Sequence, residues 1–382
     1  MGSDTRRAEQ VLEAARRESP QDVRLLRALA ELYQRHKQTP AFNILLDRAA
    51  ADARRALSAG RLAAASFEIL ATGYELRGRV DAAHATQAML ATLEGRPAEL
   101  AGAGPERALD PALDDLLAPE AMTSALRSLL AKTGDILDAV TAVDLRALKA
   151  APMPADAPIA RLLNRVAAAI GLQSVQVLTS PKLGSTCIPV GSSPAALVLG
   201  ETLANDERHA TFLALRALKL VRIKASALGR TAPGELGVLV SAWLKALAPS
   251  WNAQGINAGA LSAALAKMQS AVPRSIPADV GALALEIASN IGTRQATLGP
   301  AAIAWANRTA LLALGDPQRA LDAIAASAPV MGTATARGVP ADPKDRAAWI
   351  SRTPEARDLI AFGVTEAFVE ARARLGLDRS AR

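Results

Sequence analysis

The stretch NDERHATFLALRALKLVRIKASAL, residues 205–228, decides how the larger part of this chain folds. Apolar residues recur in it at every third or fourth position, a spacing that predicts one long helix with an apolar face. Short apolar runs bounded by Gly, Ser and Pro precede this helix and are typical of strands. The predicted strands cover residues 174–178, 186–190 and 195–199. Together these elements predict an α+β domain with a small sheet.

Further helices are predicted on both sides of this centre. They cover residues 120–148, 156–170, 233–247, 277–290, 300–314 and 317–326. Thr353 and Pro354 form a cap and a first helical position, and the helix that they begin is predicted to run to Leu375. The segment from Pro329 to Ile350 is predicted to be a loop.

The first 95 residues predict about five helices, and two of these share a pattern of residue sizes. The pattern is large, large, small, Tyr, and its two copies are Leu26, Leu29, Ala30, Tyr33 and Phe67, Leu70, Ala71, Tyr74. This spacing resembles the first helix of a tetratricopeptide repeat (TPR), in which the small residue lets a partner helix approach closely. The offset between the copies is 41 residues, whereas the family uses about 34. A plain array of helical hairpins is the alternative interpretation.

Residues 96–119 separate these two regions. They contain Gly102, Gly104, Pro105, Pro111 and Pro119, which interrupt any long helix. We therefore predict three parts, a TPR-like helical module over residues 1–95, a linker over 96–119 and an α+β domain over 120–382. The chain as a whole is predicted to be mostly α, and each folded part is long enough to bury its own core.

The composition disfavours several classes of protein. The net charge is +7, but positive residues alternate with Asp and Glu, and only 3% of residues are aromatic. Neither a basic tract nor an aromatic stacking platform is present, so nucleic acid is a disfavoured partner. A single cysteine, Cys187, permits no internal disulfide. The sequence has neither a signal-peptide pattern nor an apolar stretch long enough to span a bilayer, and a cytoplasmic protein is expected.

The order helix, small sheet, long helix and later helices resembles the HExxH zinc metallopeptidases of the gluzincin type. In that family the long helix carries His-Glu-x-x-His, and a later helix supplies a Glu ligand in a Glu-x-x-Ala-Asp context. Two His residues four positions apart share one helix face and bind zinc, and the Glu between them is the base for the metal-bound water. The segment from Asp206 to Lys219 resembles this active helix in its apolar pattern and its acidic start.

None of the chemical groups that the resemblance requires is present. The two His positions hold Leu215 and Lys219, and Arg216 stands where the catalytic Glu would be. Downstream, Ala306-Asn307-Arg308 resembles the Ala-Asp-Arg of the family, and this places Ile303 at the position of the Glu ligand. The resemblance therefore implies a zincin-like domain that has lost its zinc site, with no metal, no cofactor and no peptidase activity. An unrelated α+β domain remains the alternative.

No substitute active site follows from the sequence. His36, His84 and His209 are not at metal-ligand spacing from one another, and each is predicted to be a surface or hydrogen-bonded residue. Cys187 lies in a predicted strand without a His placed to activate it, which favours an inert thiol. The sequence contains neither a Walker loop, nor a dinucleotide fingerprint, nor a Gly-x-Ser-x-Gly motif.

The leading functional hypothesis is a non-catalytic interaction or scaffold protein whose protein partner is not identified. Its architecture resembles bacterial TPR proteins with a degenerate, peptidase-like C-terminal half. A hydrolase with an unrecognised site and a binder of nucleic acid or anionic surfaces are the alternatives. Arg216 and Lys219 are expected either to pair with a carboxylate such as Glu286 or reach water, or to contact an anion or an acidic side chain of a partner.

Overall fold

The computed structural model describes residues 3–98, 100–273, 275–327 and 338–377. Across these residues the chain forms 20 α-helices and a four-stranded sheet, which confirms the prediction of a mostly helical protein with a small sheet. The elements pack as two units. The first unit comprises the described residues within 1–103, 315–321 and 338–382, and the second comprises those within 104–314 and 322–337.

The elements are numbered in chain order. Residues 3–140 form α1 Ser3–Glu18, α2 Val23–Arg35, α3 Thr39–Ser58, α4 Ala64–Leu76, α5 Val80–Leu93, α6 Pro105–Ala108, α7 Asp114–Leu117 and α8 Ser124–Val140. Residues 151–230 form β1 Ala151–Pro152, α9 Pro158–Ala169, β2 Gln176–Ser180, β3 Cys187–Ser192, β4 Ala195–Gly200, α10 Glu201–Ala204, α11 Glu207–Arg222 and α12 Ser226–Arg230. Residues 233–374 form α13 Pro233–Leu247, α14 Ala258–Ala271, α15 Ala278–Ile291, α16 Leu298–Leu314, α17 Pro317–Ser327, α18 Pro343–Arg352, α19 Pro354–Phe362 and α20 Glu366–Arg374. Short 3-10 helices lie at Pro111–Leu113 and Gln295–Thr297.

The five predicted N-terminal helices are α1 to α5, and consecutive helices pack on one another. The residues of the two matching patterns are all buried, which confirms that these stripes face neighbouring helices: Leu26, Leu29, Ala30, Tyr33, Phe67, Leu70, Ala71 and Tyr74. The hydroxyl of Tyr33 donates a hydrogen bond to Glu13 Oε1 at 3.0 Å and so ties α2 to α1. Assignment of the array to the TPR family remains a prediction.

The C-terminal helices α18, α19 and α20 also belong to the first unit, where they pack on α5 or α3. Arg372 of α20 and Asp81 of α5 form a buried ion pair through two hydrogen bonds of 2.8 Å each. Arg346 of α18 donates from Nε to the carbonyl of Thr92 at 2.6 Å. The sequence placed this C-terminal segment in the second domain, and the contacts with α5 explain the difference.

The loop predicted from Pro329 to Ile350 is partly wrong. Its residues 329–337 lie outside the described part of the chain, but from Pro343 the segment is the helix α18. Asp342 begins this helix, because its side chain accepts hydrogen bonds from the backbone N–H groups of Lys344 and Asp345.

The predicted final helix is divided at Gly363 into α19 and α20. A Cβ atom at Gly363 would lie 2.5 Å from the sulfur of Met89 in α5, so the backbone approaches α5 more closely than any larger residue permits.

The sheet of the second unit has the order β1-β2-β4-β3. β2 and β4 are parallel, whereas the outer pairs are antiparallel. Every residue of the central strand β4 is buried. The three predicted strands correspond to β2, β3 and β4 within about two residues, and β1 was not predicted because it lies in a Pro-rich break.

The helix predicted over residues 205–228 is interrupted. α11 ends at Arg222, Lys224 has a positive φ of 54°, and α12 begins at Ser226. Gly134 of α8 lies against this break, and a Cβ atom there would be 2.2 Å from the carbonyl oxygen of Lys224. Because Gly134 has no side chain, α8 can pack closely against this interruption, a contact that the sequence around residue 224 does not reveal.

Residues 104–119 pack within the second unit, although the sequence assigned them to the linker. α6 and α7 pack on α16. Leu109, Leu113 and Leu117 are each at most 3% exposed. Pro105 and Pro111 begin short helical turns rather than a solvent-exposed connection.

Candidate functional site

The five positions that the sequence resemblance assigned to a zinc site lie on α11 and α16, which pack against each other. Leu215, Lys219 and Asn307 are buried, and Arg216 and Ile303 are partly buried. Leu215 contributes an apolar side chain to the core, where it has no electron pair to offer a metal. α11 and α16 therefore lie side by side, and the five predicted side chains differ in their burial and in their neighbours.

Lys219 lies in the interior of the second unit, with no exposed surface. Its ammonium group donates a hydrogen bond to Asp114 of α7, whose second carboxylate oxygen accepts a bond from Arg222 Nη1 at 3.0 Å. The same ammonium lies 4.5 Å from the centroid of the Trp305 ring. Burial lowers the pKa of Lys219 to about 8, and the charge of Asp114 opposes part of this effect.

The observed partner of Lys219 differs from the expected one. Pairing with a carboxylate was expected, but Glu286 is exposed on α15 and the carboxylate is that of Asp114. Asp114 is 105 residues away in sequence, within the predicted linker. Snorkelling to water is excluded for Lys219, since its side chain has no exposed surface.

Lys219 faces one side of α16, and Ile303 and Asn307 lie on the opposite side of this helix. Trp305 is two residues from both Ile303 and Asn307, and two residues turn an α-helix by about 200°. The ammonium therefore contacts the face of α16 opposite to these two residues. The helix pair brings Lys219 together with Trp305 and Asp114, and the other four predicted positions do not belong to this cluster.

The side chain of Arg216 lies in different surroundings from that of Lys219. It is close enough to Cys187 of β3 for its charge to act on the thiol, but burial dominates and raises the pKa of Cys187 to about 12. Cys187 is 4% exposed. The thiol is therefore protonated at neutral pH and a poor nucleophile, in agreement with the expected inert role.

Within the described ranges, no group of three or more His, Cys, Asp and Glu side chains is arranged to hold a metal ion. His209 lies at the start of α11, where its Nδ1 is 2.5 Å from Asp206 Oδ2. Asp206 also accepts a hydrogen bond from the His209 backbone N–H and so caps the helix. These contacts give His209 a structural role at a helix terminus.

A cavity of about 600 Å³ opens beside the Lys219 cluster and is lined only by residues of the second unit. Its walls carry Arg127 and Ser128 of α8, Arg222 of α11 and Trp305 of α16. Arg127 Nη2 donates to Asp115 Oδ1 at 2.6 Å. Apolar lining comes from Ile170, Leu172 and Ile223. This volume is within the usual range for small-molecule sites.

A second depression, of about 810 Å³, lies in the first unit between α1, α2, α3 and α4. We call it the arginine groove, because its rim carries Arg16, Arg17, Arg48 and Arg61. One face of α3 forms its floor, with the residues Ala41, Ile44, Leu45, Ala49, Ala53 and Ala56. Ile44 is 53% exposed, an unusual position for a large aliphatic side chain.

The arginine groove has an excess of positive charge. Its acidic lining residues are Glu13 and Asp52, against the four arginines. Asp52 also pairs with Arg55 at 3.3 Å, outside the groove. Arg48 and Arg61 make no ion pair with any residue that the structure describes. The groove therefore offers unneutralised cations above an apolar floor.

Sequence reasoning singled out neither the cavity nor the groove. Arg127 of α8 and Trp305 of α16 are far apart in sequence and come together only in the folded chain. In the groove, the usable signal in the sequence was Ile44, a large aliphatic residue near the start of α3 that is followed by Asp47 and Arg48 on the neighbouring turn.

Comparison with protein-family models, with curated proteins and with solved structures gives no match to this chain.

Proposed function

We propose that this chain is a non-catalytic interaction or scaffold protein and that the arginine groove holds an acidic, amphipathic segment of a partner protein. One observation carries the proposal, namely the apolar floor of α3, with Ile44 53% exposed, beneath arginines that have no ion-pair partner among the described residues. An apolar stripe favours burial against apolar side chains of a partner, and the arginines favour carboxylates beside them.

The dimensions of the groove support a helical or short extended occupant. From Ile44 to Ala56 the floor follows α3 for about 18 Å, the length of about twelve helical residues. The alanines at positions 49, 53 and 56 keep the floor shallow, so a second helix can approach closely. A partner helix with apolar residues one turn apart and Asp or Glu beside them complements this surface.

The second unit is proposed to contribute no chemistry to this function. We propose that it descends from a zincin-like domain and now acts as a packing or binding module. The proposal is supported by Leu215, Lys219 and Ile303, because an alkyl side chain and a buried ammonium cannot act as zinc ligands.

Selection from a library of random peptides tests the proposal. The full chain is immobilised, and displayed peptides of about 16 residues, long enough to span the floor, are selected at physiological salt. The peptides enriched by selection should carry Leu, Ile or Phe at every third or fourth position with Asp or Glu between them. The double variant Arg48→Glu, Arg61→Glu should no longer bind these peptides.

A matched variant controls for the change in net charge. Arg6 and Arg7 are exposed on α1 and do not line the groove. The double variant Arg6→Glu, Arg7→Glu should retain the selected peptides. Enriched peptides without acidic residues would refute the groove as the binding surface. An equal loss of peptide binding in both double variants would refute it as well.

A further inference from the structure

The first helix, α1, forms one wall of the arginine groove but is weakly anchored. Its residues Glu13, Arg16 and Arg17 line the groove. None of the side chains from Thr5 to Glu18 is buried. α1 packs on α2, and its contacts with the other described elements are marginal. It is therefore the least anchored of the helices that line the groove.

The other helices around the groove have buried cores. α2, α3 and α4 each bury large apolar side chains, which include Leu26, Leu46 and Phe67 respectively. Elements with few buried apolar contacts open at a low cost in free energy, whereas densely packed elements open only when the whole unit unfolds. The groove thus combines one weakly held wall with surroundings that are fixed.

Two side-chain hydrogen bonds join α1 to the end and the start of α2. The hydroxyl of Tyr33 donates to Glu13 Oε1 at 3.0 Å, and Arg16 Nη1 donates to the carbonyl oxygen of Asp22 at 3.4 Å. The second distance is long for a hydrogen bond. Leu12 is the largest aliphatic side chain of α1 that is partly covered. These contacts place α1 beside the groove without the burial that anchors α2.

The face of α1 toward the groove is charged rather than apolar. Glu13, Arg16 and Arg17 lie three and four positions apart and so share this face. Arg17 Nε donates to the backbone carbonyl of Glu13 at 3.3 Å, and neither arginine forms an ion pair with a described residue. Arg16 is partly exposed and Arg17 is exposed, so an occupant of the groove can reach both.

Arginines on two sides of the groove can share one occupant. Arg16 and Arg17 belong to α1, whereas Arg48 lies on α3 and Arg61 follows the end of α3. An acidic segment between them accepts charge-assisted hydrogen bonds from both sides. It keeps its bonds with α1 only while α1 stays beside it, so its binding favours the closed position of α1 over any open one.

We infer that α1 is a movable wall of the arginine groove, which yields to admit the acidic segment of the partner and closes on it through Arg16 and Arg17. This inference rests on the function proposed above. α1 acts as a clamp, while the floor on α3 stays in place.

Hydrogen exchange of the full chain without a ligand is the first test. The backbone amides of Val11 and Leu12 in α1 should exchange at least about tenfold faster than those of Leu29 and Ala30 in α2. If the amides of α1 exchange as slowly as those of α2, the wall is fixed and the inference is overturned. This result does not depend on whether the groove binds a peptide.

The second test adds a helical peptide of about 16 residues, with Leu at every third or fourth position and Glu between, at a saturating concentration. Exchange at Val11 and Leu12 should slow at least about tenfold, because the peptide binds the closed position of α1. Exchange in α9 of the second unit should not change. Binding without slower exchange in α1 would overturn this inference alone, whereas absence of binding would refute the proposed function as well.

Two double variants on the same helix test the closing contacts. Arg16→Gln, Arg17→Gln removes both cations from the groove wall, so the peptide should slow exchange in α1 at least about threefold less than in wild type. Arg6→Gln, Arg7→Gln removes two exposed cations of α1 outside the groove and should keep the full effect. The peptide is added to the same bound fraction in each protein, measured by fluorescence anisotropy. Equal slowing in the two double variants would overturn the assignment of Arg16 and Arg17 as the closing contacts.

Discussion

The ammonium group of Lys219 lies 4.5 Å from the centroid of the Trp305 ring, and both side chains are almost completely buried. A cation over an indole face is attracted by the ring quadrupole, by about 2 kcal/mol where water is excluded. With Asp114 as its hydrogen-bond partner, Lys219 thus joins α11, α16 and α7. Lys219 is therefore part of an internal charge cluster.

Removing Asp114 should destabilise the protein more than removing Lys219. Asp114→Ala leaves a fully buried ammonium without its carboxylate, and loss of one partner of a buried pair costs about 3–5 kcal/mol. Lys219→Met leaves Asp114 paired with Arg222 at 3.0 Å and fills the space with an apolar chain, so its cost should stay below about 2 kcal/mol. Urea unfolding followed by circular dichroism measures both.

Asp115 provides the control for that comparison, because it is the neighbouring residue and its side chain is 83% exposed. Asp115→Ala should change the unfolding free energy by no more than about 0.5 kcal/mol. A larger loss in Lys219→Met than in Asp114→Ala would show that the ammonium, rather than the carboxylate, is the indispensable member of the cluster.

Stability should rise with pH above about pH 8. Burial lowers the pKa of folded Lys219 to about 8, against an ordinary value of 10.5, so between these values the unfolded chain binds a proton that the folded chain has released. The unfolding free energy should therefore increase across this window, by at most about 1.4 kcal/mol per pH unit. Below about pH 8, the titration of Lys219 should not change the unfolding free energy with pH.

The difference between wild type and Lys219→Met isolates this contribution from other titrating groups. Urea unfolding at several pH values between 7 and 10.5 should show the difference moving in favour of wild type as pH rises. A difference that is constant over the whole range would mean that Lys219 has an ordinary pKa.

The first unit should depend on its C-terminal helices. Asp81 and Arg372 are 3% and 2% exposed and bonded through two hydrogen bonds, so Asp81→Ala should cost about 3–5 kcal/mol. The double variant Asp81→Leu, Arg372→Met replaces both charges with apolar groups and should recover most of the loss. Hydrogen exchange of α5 amides, read residue by residue, would show whether the loss is located in this unit; unchanged protection in Asp81→Ala would contradict the assignment.

Protein purified without chelators should contain far less than one zinc per chain. Leu215 and Ile303 carry no ligand atom, and the ammonium of Lys219 repels a cation while it is bonded to Asp114. Elemental analysis, before and after incubation with zinc and gel filtration, measures the content. Near-stoichiometric zinc would overturn the interpretation of this domain as a degenerate peptidase.

The sequence predicted well those features that depend on local periodicity. The Leu and Tyr stripes of α2 and α4 and the three strands β2, β3 and β4 follow from residue spacing, and the structure has them close to the predicted positions. The sequence does not predict α18, because the prolines around it indicate a break. In the structure, Pro343 follows the cap residue Asp342 and occupies the first helical position.

Features that depend on distant residues were not predictable in the same way. Gly134 lets α8 pack closely against the break at Lys224, and the partner of Lys219 is an aspartate 105 residues earlier. Asp114 lies in the Pro-rich segment that the sequence predicts to be a linker. Nothing local to residue 114 indicates that α7 packs on α16 and brings this carboxylate beside α11.

The most direct test of the proposed interaction function measures the affinity of an acidic amphipathic peptide for the arginine groove. The probe is a fluorescein-labelled helical peptide with Leu at every third or fourth position and Glu between, and the comparison peptide has Lys in place of Glu. Fluorescence anisotropy with the full chain should show saturable binding of the Glu peptide only, at least about tenfold weaker in Arg48→Glu, Arg61→Glu and unchanged in Arg6→Glu, Arg7→Glu. Equal binding of the two peptides, or equal binding by the two double variants, would contradict the account.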